Sequence, residues 1–205
     1  MRKDKELIQA YGRMIMERAA EGWACHQLAF MFNQLSGSRS AKVKQMQEEV
    51  ERTYAKILSH VYRHPKKKPL DDLPLWIGAP DLHVFKNQKS THVDCNINDG
   101  LHFQVIVAFP PWTTRLKSSL SEYISLHQER FVGPTRYLSR LHASDLAETQ
   151  DYAAEYVLKT IKKLDFGSDD ILVLPKSSSE MSRLTNWERR QVKREGALRR
   201  LKPAG

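Results

Sequence analysis

The succession of elements legible in the sequence, α, β, α, β, β, β, α, β, α, predicts an α+β fold in which helices cover an antiparallel sheet. Three observations carry that expectation. Two long segments repeat apolar residues at helical spacing, several shorter apolar runs have the length of strands, and Asn98-Asp99-Gly100 separates two of those runs by a turn-forming tripeptide. At 205 residues, the chain has room for one domain with a real core and one appendage.

Residues 4–20 place Leu7, Ile8, Tyr11, Met14, Ile15 and Ala19 on one helical face, and Gly22 ends that helix. The run ACHQLAFMF lies between Gly22 and the turn-rich Ser36-Gly37-Ser38 and predicts a strand within 23–32. Val43, Met46, Val50, Tyr54, Ile57, Leu58 and Val61 mark a helix over 40–62, closed by His64-Pro65. The proline- and lysine-rich stretch 66–80 is expected to be a surface connection anchored by Leu73, Leu75, Trp76 and Ile77. Strands are expected at 81–88, 91–97 and 101–109, the last two joined as a hairpin, with Pro110-Pro111 ending the third. A helix at 114–130, a short strand at 136–142, a helix at 147–163 and an extended segment or strand at 168–175 complete the domain. The serine cluster 177–179 marks a linker. The expected organisation is therefore an N-terminal helix over 1–22, a domain over 23–175 and a basic tail over 176–205.

Thirty-three Lys and Arg against 24 Asp and Glu give a net charge of +9, which favours a polyanionic partner. The charge is uneven. Lys176–Gly205 holds nine basic residues against three acidic ones, a net +6. Forty per cent hydrophobic and 28% charged residues exclude a disordered polyelectrolyte and a membrane-embedded chain. Cys25 and Cys95 stand 70 residues apart with no CxxC, so neither a thiolate zinc site nor a disulfide framework is expected, and the setting reads as reducing. The N-terminal segment is broken by Arg13, Glu17 and Arg18 and lacks the apolar core of a signal peptide, and no membrane is expected among the partners.

On the strand 101–109, His102 and Gln104 lie on one face while Leu101, Phe103, Val105 and Val107 point the other way. Two adjacent polar groups on so apolar a strand need a reason. If 98–100 is a three-residue loop, Asn96 faces His102 and Asp94 faces Gln104, which collects His102, Gln104, Asp94 and His92 on one face. An imidazole, an amide oxygen and a carboxylate suit a borderline-to-hard divalent ion, Mn²⁺ or Mg²⁺. A two-residue loop would instead set Val93, Cys95 and Ile97 against the polar pair. Taken alone, His102 and Gln104 also fit a half-wet sheet face with no ligand.

A second pattern is Tyr156 with Lys159 three residues on, and Tyr152 one turn earlier on the same helical face. A phenol is a poor nucleophile at its ordinary pKa of about 10, so a metal-polarised phosphate and a nearby cation are what let it attack a phosphodiester. Alone, the spacing equally describes a core edge and a solvated lysine stem.

Taken in order, Phe30-Met31-Phe32-Asn33, His102-Phe103-Gln104 and the segment AAEYVLK at 153–159 resemble the three motifs of HUH-type rolling-circle replication initiators, over residues 23–165. Gln104 stands where the commonest triplet has its second histidine, as in circovirus-like and nanovirus-like members, and no threonine-rich first motif is present. The resemblance implies a central five-stranded antiparallel sheet of ferredoxin/RRM-like type flanked by helices. It implies a divalent metal held by His102 and Gln104, with a third ligand from an acid upstream of the triplet. Asp94, eight residues before His102, occupies that position, with His92 as its substitute. Tyr156 matches the nucleophile and Lys159 its partner, while Tyr152 resembles the second tyrosine of some phage initiators.

The activity this implies is nicking and rejoining of single-stranded DNA at an origin or origin hairpin through a 5′-phosphotyrosine, in the cytoplasm of a bacterial host. The chain contains no GxxxxGK[ST], so helicase and polymerase are expected from the host or replicon. Arg183, Arg189, Arg190, Lys193, Arg194, Arg199 and Arg200 of the tail are the expected DNA contacts. The rival reading is a non-catalytic single-stranded nucleic-acid-binding protein of the same fold. For the tail, docking to a protein or an anionic surface and a plain solvated extension both remain open.

Overall fold

The computed structural model describes residues 2–82, 97–113, 115–133, 135–146, 157–158 and 166–176. The helix α1 spans Arg2–Ala20, and the bonds Gly22 N–H to Ala19 O and Trp23 N–H to Arg18 O, both 3.0 Å, close its end. Gly22 sits at φ +84°, a left-handed position that only glycine takes cheaply, which is why the helix stops there. The strand β1, Ala24–Phe32, follows directly. The helix α2, Arg39–Val61, begins at Ser38, whose hydroxyl accepts from the Ala41 amide, and turns Val43, Met46, Val50, Tyr54, Ile57 and Val61 inward.

The strands β2 (Leu75–Leu82), β3 (Leu101–Phe109), β4 (Leu138–Asp145) and β5 (Leu172–Leu174) complete one five-stranded sheet of order β4-β1-β3-β2-β5, antiparallel throughout. The fold is α+β, as the sequence predicts. A single core links the sheet with Ile8 and Ile15 of α1 and the inward face of α2. One face of the sheet carries Phe30, Phe103 and Trp76, and α2 packs there through Tyr54, whose ring lies 5.2 Å from that of Trp76. The short helix α3, Leu120–Leu126, capped by Ser119, packs on β4 and reaches α2 through a stack of Tyr123 on His60. Among the described residues no helix is long and apolar enough to cross a membrane.

Four expectations are corrected. Residues 75–80 are not surface connection: β2 begins at Leu75 and is buried through Asp81, so the true connection is 62–74, where the Tyr54 and Tyr62 hydroxyls donate to Pro74 O and Asp72 O. Pro74, Gly78 and Pro80 disguise the strand. Gly78 is needed for space, since a Cβ there would lie 2.6 Å from the Gln104 carbonyl oxygen, and Pro80 falls two residues past the last pair with β5, where a missing N–H costs least. The hairpin of 91–97 with 101–109 is also overturned: β3 pairs with β1 on one side and β2 on the other, which leaves no edge for a third strand. The helix expected at 114–130 shrinks to α3 and a 3₁₀ turn over Gln128–Arg130. Finally, β4 runs three residues past 142. Residues 83–96 and most of the helix expected at 147–163 lie outside the described residues.

Candidate metal centre

The central strand β3 positions the site. Residues opposite one another on paired strands share a face, so Asp81 of β2 lies beside His102 in one row, and Ala79, Gln104 and Ala29 form the next. Alanine on both sides of Gln104 leaves its amide room to lie along the sheet. All three polar side chains are buried, Asp81 to 1% exposure.

The hydrogen bonds define which atoms converge. His102 Nδ1 lies 3.2 Å from Gly100 O; as a carbonyl can only accept, Nδ1 is the donor there, and as the Gln104 amide nitrogen can only donate, His102 Nε2 is the acceptor. That Nε2 is 3.4 Å from Asp81 Oδ2. Gln104 Nε2 bridges the two acceptors, donating to Asp81 Oδ2 at 3.3 Å and to His102 Nε2 at 3.1 Å. Behind it, Gln27 Nε2 donates to Gln104 Oε1 at 2.5 Å, reaching diagonally from β1. Asp81 Oδ2 and His102 Nε2, both bonded by the Gln104 amide, are atoms of the kind that can ligate a cation. A half-turn of the Gln104 amide would add its oxygen to them, with Gln27 able to turn in step. The donor set of carboxylate, imidazole and amide fits Mn²⁺ or Mg²⁺ in kind. No cluster of three His, Cys, Asp or Glu occurs among the described residues, so a cation here depends on the amide of Gln104.

The turn Asn98-Asp99-Gly100 holds the entry to β3 in place. All three residues have left-handed φ, 55°, 59° and 75°, as the tripeptide's composition predicts, yet the turn serves a different contact from the one expected. The buried Asn98 side chain accepts from Leu35 N–H at 2.7 Å and donates to Asn33 O at 3.0 Å, and Asp99 pairs with Lys42. Asn33, the last residue of the FMFN motif, in turn donates to Gly133 O and Arg136 O. These bonds fix Gly100, and through its carbonyl the tautomer of His102.

Of the residues the sequence singles out, His102 and Gln104 come together as expected. The carboxylate beside them is Asp81, which sequence reasoning missed; Asp94 and His92 lie outside the described residues, and β3 has its two edges paired with β1 and β2. The signal was present in LWIGAPDL, an acid at the end of an apolar run, and in Gln27, a long amide inside another. Tyr152, Tyr156 and Lys159 lie outside the described residues, but Val157 and Leu158 between them are fully buried. The tail residues Arg183, Arg189, Arg190, Lys193, Arg194, Arg199 and Arg200 also lie outside. Tyr54 and Tyr62 are committed to backbone carbonyls, and burial, with Asp72 beside it, pushes the Tyr62 phenol up to about 12. Neither is a nucleophile.

A second polar group, Ser121, Asp145 and His26, joins α3, β4 and β1. The Ser121 hydroxyl and His26 Nδ1 both bond Asp145 Oδ1, at 2.6 and 2.8 Å. The serine contacts the carboxylate rather than the imidazole, so the three do not form the serine–imidazole–carboxylate relay of a hydrolase triad. Burial raises the Cys25 thiol's pKa, which disfavours its thiolate. Comparison with protein-family models, curated proteins and solved structures gave no match.

Proposed function

We propose that the protein is a metal-dependent endonuclease and strand transferase acting on single-stranded DNA, of the kind that initiates rolling-circle replication. The observation that carries this reading is the convergence of Asp81, His102 and Gln104 on the central strand of a five-stranded antiparallel sheet. His102 Nε2, Asp81 Oδ2 and the Gln104 amide oxygen would hold a divalent cation, which when bound withdraws charge from the scissile phosphate. Gly100 keeps the His102 lone pair facing inward, and Gln27 braces Gln104.

Tyr156 is the proposed nucleophile. Its oxygen gives up its proton to solvent and forms a bond to phosphorus as the bond to the 3′ oxygen breaks; the 3′ oxygen takes up a proton from solvent and leaves as a hydroxyl, and the 5′ phosphate stays on the tyrosine. Rejoining is the reverse. Lys159 is assigned to the phosphate's charge. Helicase and polymerase would come from the host or replicon.

The test is a covalent adduct. Wild-type protein incubated with Mn²⁺ and a pool of hairpin-bearing single-stranded oligonucleotides should give an SDS-resistant protein–DNA species that Tyr156→Phe and His102→Ala abolish without loss of DNA binding. A wild type that binds the pool but forms no adduct with Mn²⁺ or Mg²⁺ refutes the catalytic reading in favour of a binding protein.

A further inference from the structure

A group of cations lies on the other side of the sheet from Asp81, His102 and Gln104. Behind the opposite face, in the α2 and α3 layer, an open groove of about 320 Å³ is ringed by Lys56, His60, Arg115 and Arg130 over a floor that includes Tyr123 and Phe131. Three side chains of fixed positive charge therefore ring one concave surface. Lys56 and His60 stand one turn apart on α2, and the His60 ring stacks on Tyr123 at 4.4 Å. Arg130 Nη1 donates to the Tyr123 hydroxyl at 3.3 Å, which holds the guanidinium at the rim.

The carboxylates near these groups leave positive charge in excess. Glu49 lies 4.0 Å from Lys56 but is bonded by Arg52 at 2.5 Å. Glu129 is 3.9 Å from Arg130 Nε and 3.7 Å from His127, so one acid is shared by two bases. Arg115 has no carboxylate within 4.0 Å among the described residues. Burial, and after it the charges of Arg130, Arg115 and His127 in turn, push the His60 pKa below the ordinary 6.5. The part of that shift due to the neighbouring cations is what an anion in the groove would offset.

We propose that this groove binds a backbone phosphate of DNA, as a second contact distinct from the metal cluster. The groove is open rather than enclosing, and its polar rim is two guanidinium forks and an ammonium, a set matched to phosphate oxygens of a passing polyanion. It rests on the proposed activity for the identity of the DNA. The sheet lies between groove and cluster, and layers pack about 10 Å apart, so one nucleotide cannot touch both sites whereas a longer strand or hairpin arm can. The α3 side of the groove packs on β4, an edge strand, and DNA leaving the cluster face round that edge meets it.

The test compares the wild-type full chain with Lys56→Gln/Arg115→Gln and with the triple variant that adds Arg130→Gln, using a fluorescent hairpin-bearing single strand. Each lost phosphate contact should flatten the log affinity against log salt plot by about 0.7–0.9, so the double variant should lose at least about 0.7. The double variant spares the Arg130–Tyr123 bond and guards against misfolding. DNA should also shift the His60 ring resonances and raise the His60 pKa. Unchanged slopes with unmoved His60 resonances overturn the proposal, as does a His60 response to inorganic phosphate but not to DNA. Adduct formation with Mn²⁺, read in parallel, separates the two claims: adduct with unchanged slopes removes the groove alone, and flattened slopes without adduct remove the nuclease alone.

Discussion

Asp81→Asn separates the structure's reading of the site from the sequence's. The carboxylate oxygen sits 3.4 Å from His102 Nε2 and 3.3 Å from Gln104 Nε2, and it is the sole formal charge among the three donors. Mn²⁺ at one hundred times its Kd should stabilise the wild type by about 2.7 kcal/mol. At about 2–4 °C per kcal/mol for a domain of this size, Tm should rise by about 5–10 °C. Removing the charge is expected to weaken binding about a hundredfold, which leaves about 0.4 kcal/mol and about 1–2 °C at the same Mn²⁺. Without metal the variant should stay folded, because the new amide's oxygen can still accept from Leu82 N–H while its nitrogen donates to His102 Nε2, with the Gln104 amide turned so that its oxygen faces that nitrogen. Differential scanning calorimetry with and without Mn²⁺ reads both effects. If Asp81→Asn keeps the full Mn²⁺ shift and Asp94→Asn loses it, the acid is Asp94 and the assignment fails; if wild type shows no shift, the cluster is not a cation site.

Two further outcomes follow from the core. Gly78→Ala drives a Cβ to 2.6 Å from Gln104 O, 2.7 Å from Val105 Cγ2 and 2.9 Å from Phe103 Cε1, and the carbonyl belongs to the β2–β3 ladder; a loss of about 1–3 kcal/mol by urea unfolding is expected, and an unchanged midpoint contradicts the close packing. For pH, burial holds the His26 pKa below 6.5 despite the pull of Asp145, and His60 is lowered likewise. As pH falls, the unfolded chain takes the proton first, so this stability is complete above about 6.5 and is lost toward the lower folded values. Asp145, lowered chiefly by its Ser121 bond and then by His26, contributes above 3.8 and is lost only in stronger acid. The urea midpoint should therefore drop between pH 7 and 5, less steeply in His26→Gln; an identical slope in the variant contradicts the assignment.

Legibility along the chain followed the strength of the local signal. Both long helices were readable because apolar spacing and their boundary residues agree: Gly22 closes α1 with a left-handed φ, and Ser38 caps the start of α2. β1 and β3 were readable as apolar runs between turn residues. β2 was not, because Pro74, Gly78 and Pro80 are local breakers whose acceptability depends on neighbours: Gly78 is tolerated for the approach of β3, Pro80 for lying beyond β5. The hairpin of 91–97 with 101–109 rests on Asn98-Asp99-Gly100, a local turn signal that does not reveal that β1 and β2 occupy the two edges of β3.

The same displacement explains what was missed in the site. His102 and Gln104 were visible because both sit two residues apart on one apolar strand, and period-two alternation needs no tertiary knowledge. The third donor is a property of pairing, and pairing between β2 and β3 spans twenty-one residues from Asp81 to His102. A register shifted by one residue would have turned Asp81 onto the Trp76 face, away from both. What holds the register is the packing of the other face, where Trp76, Phe103 and Phe30 meet beneath Tyr54. The aromatic core on one side of the sheet thus sets which carboxylate meets His102 on the other, and the sequence near His102 contains no trace of that choice.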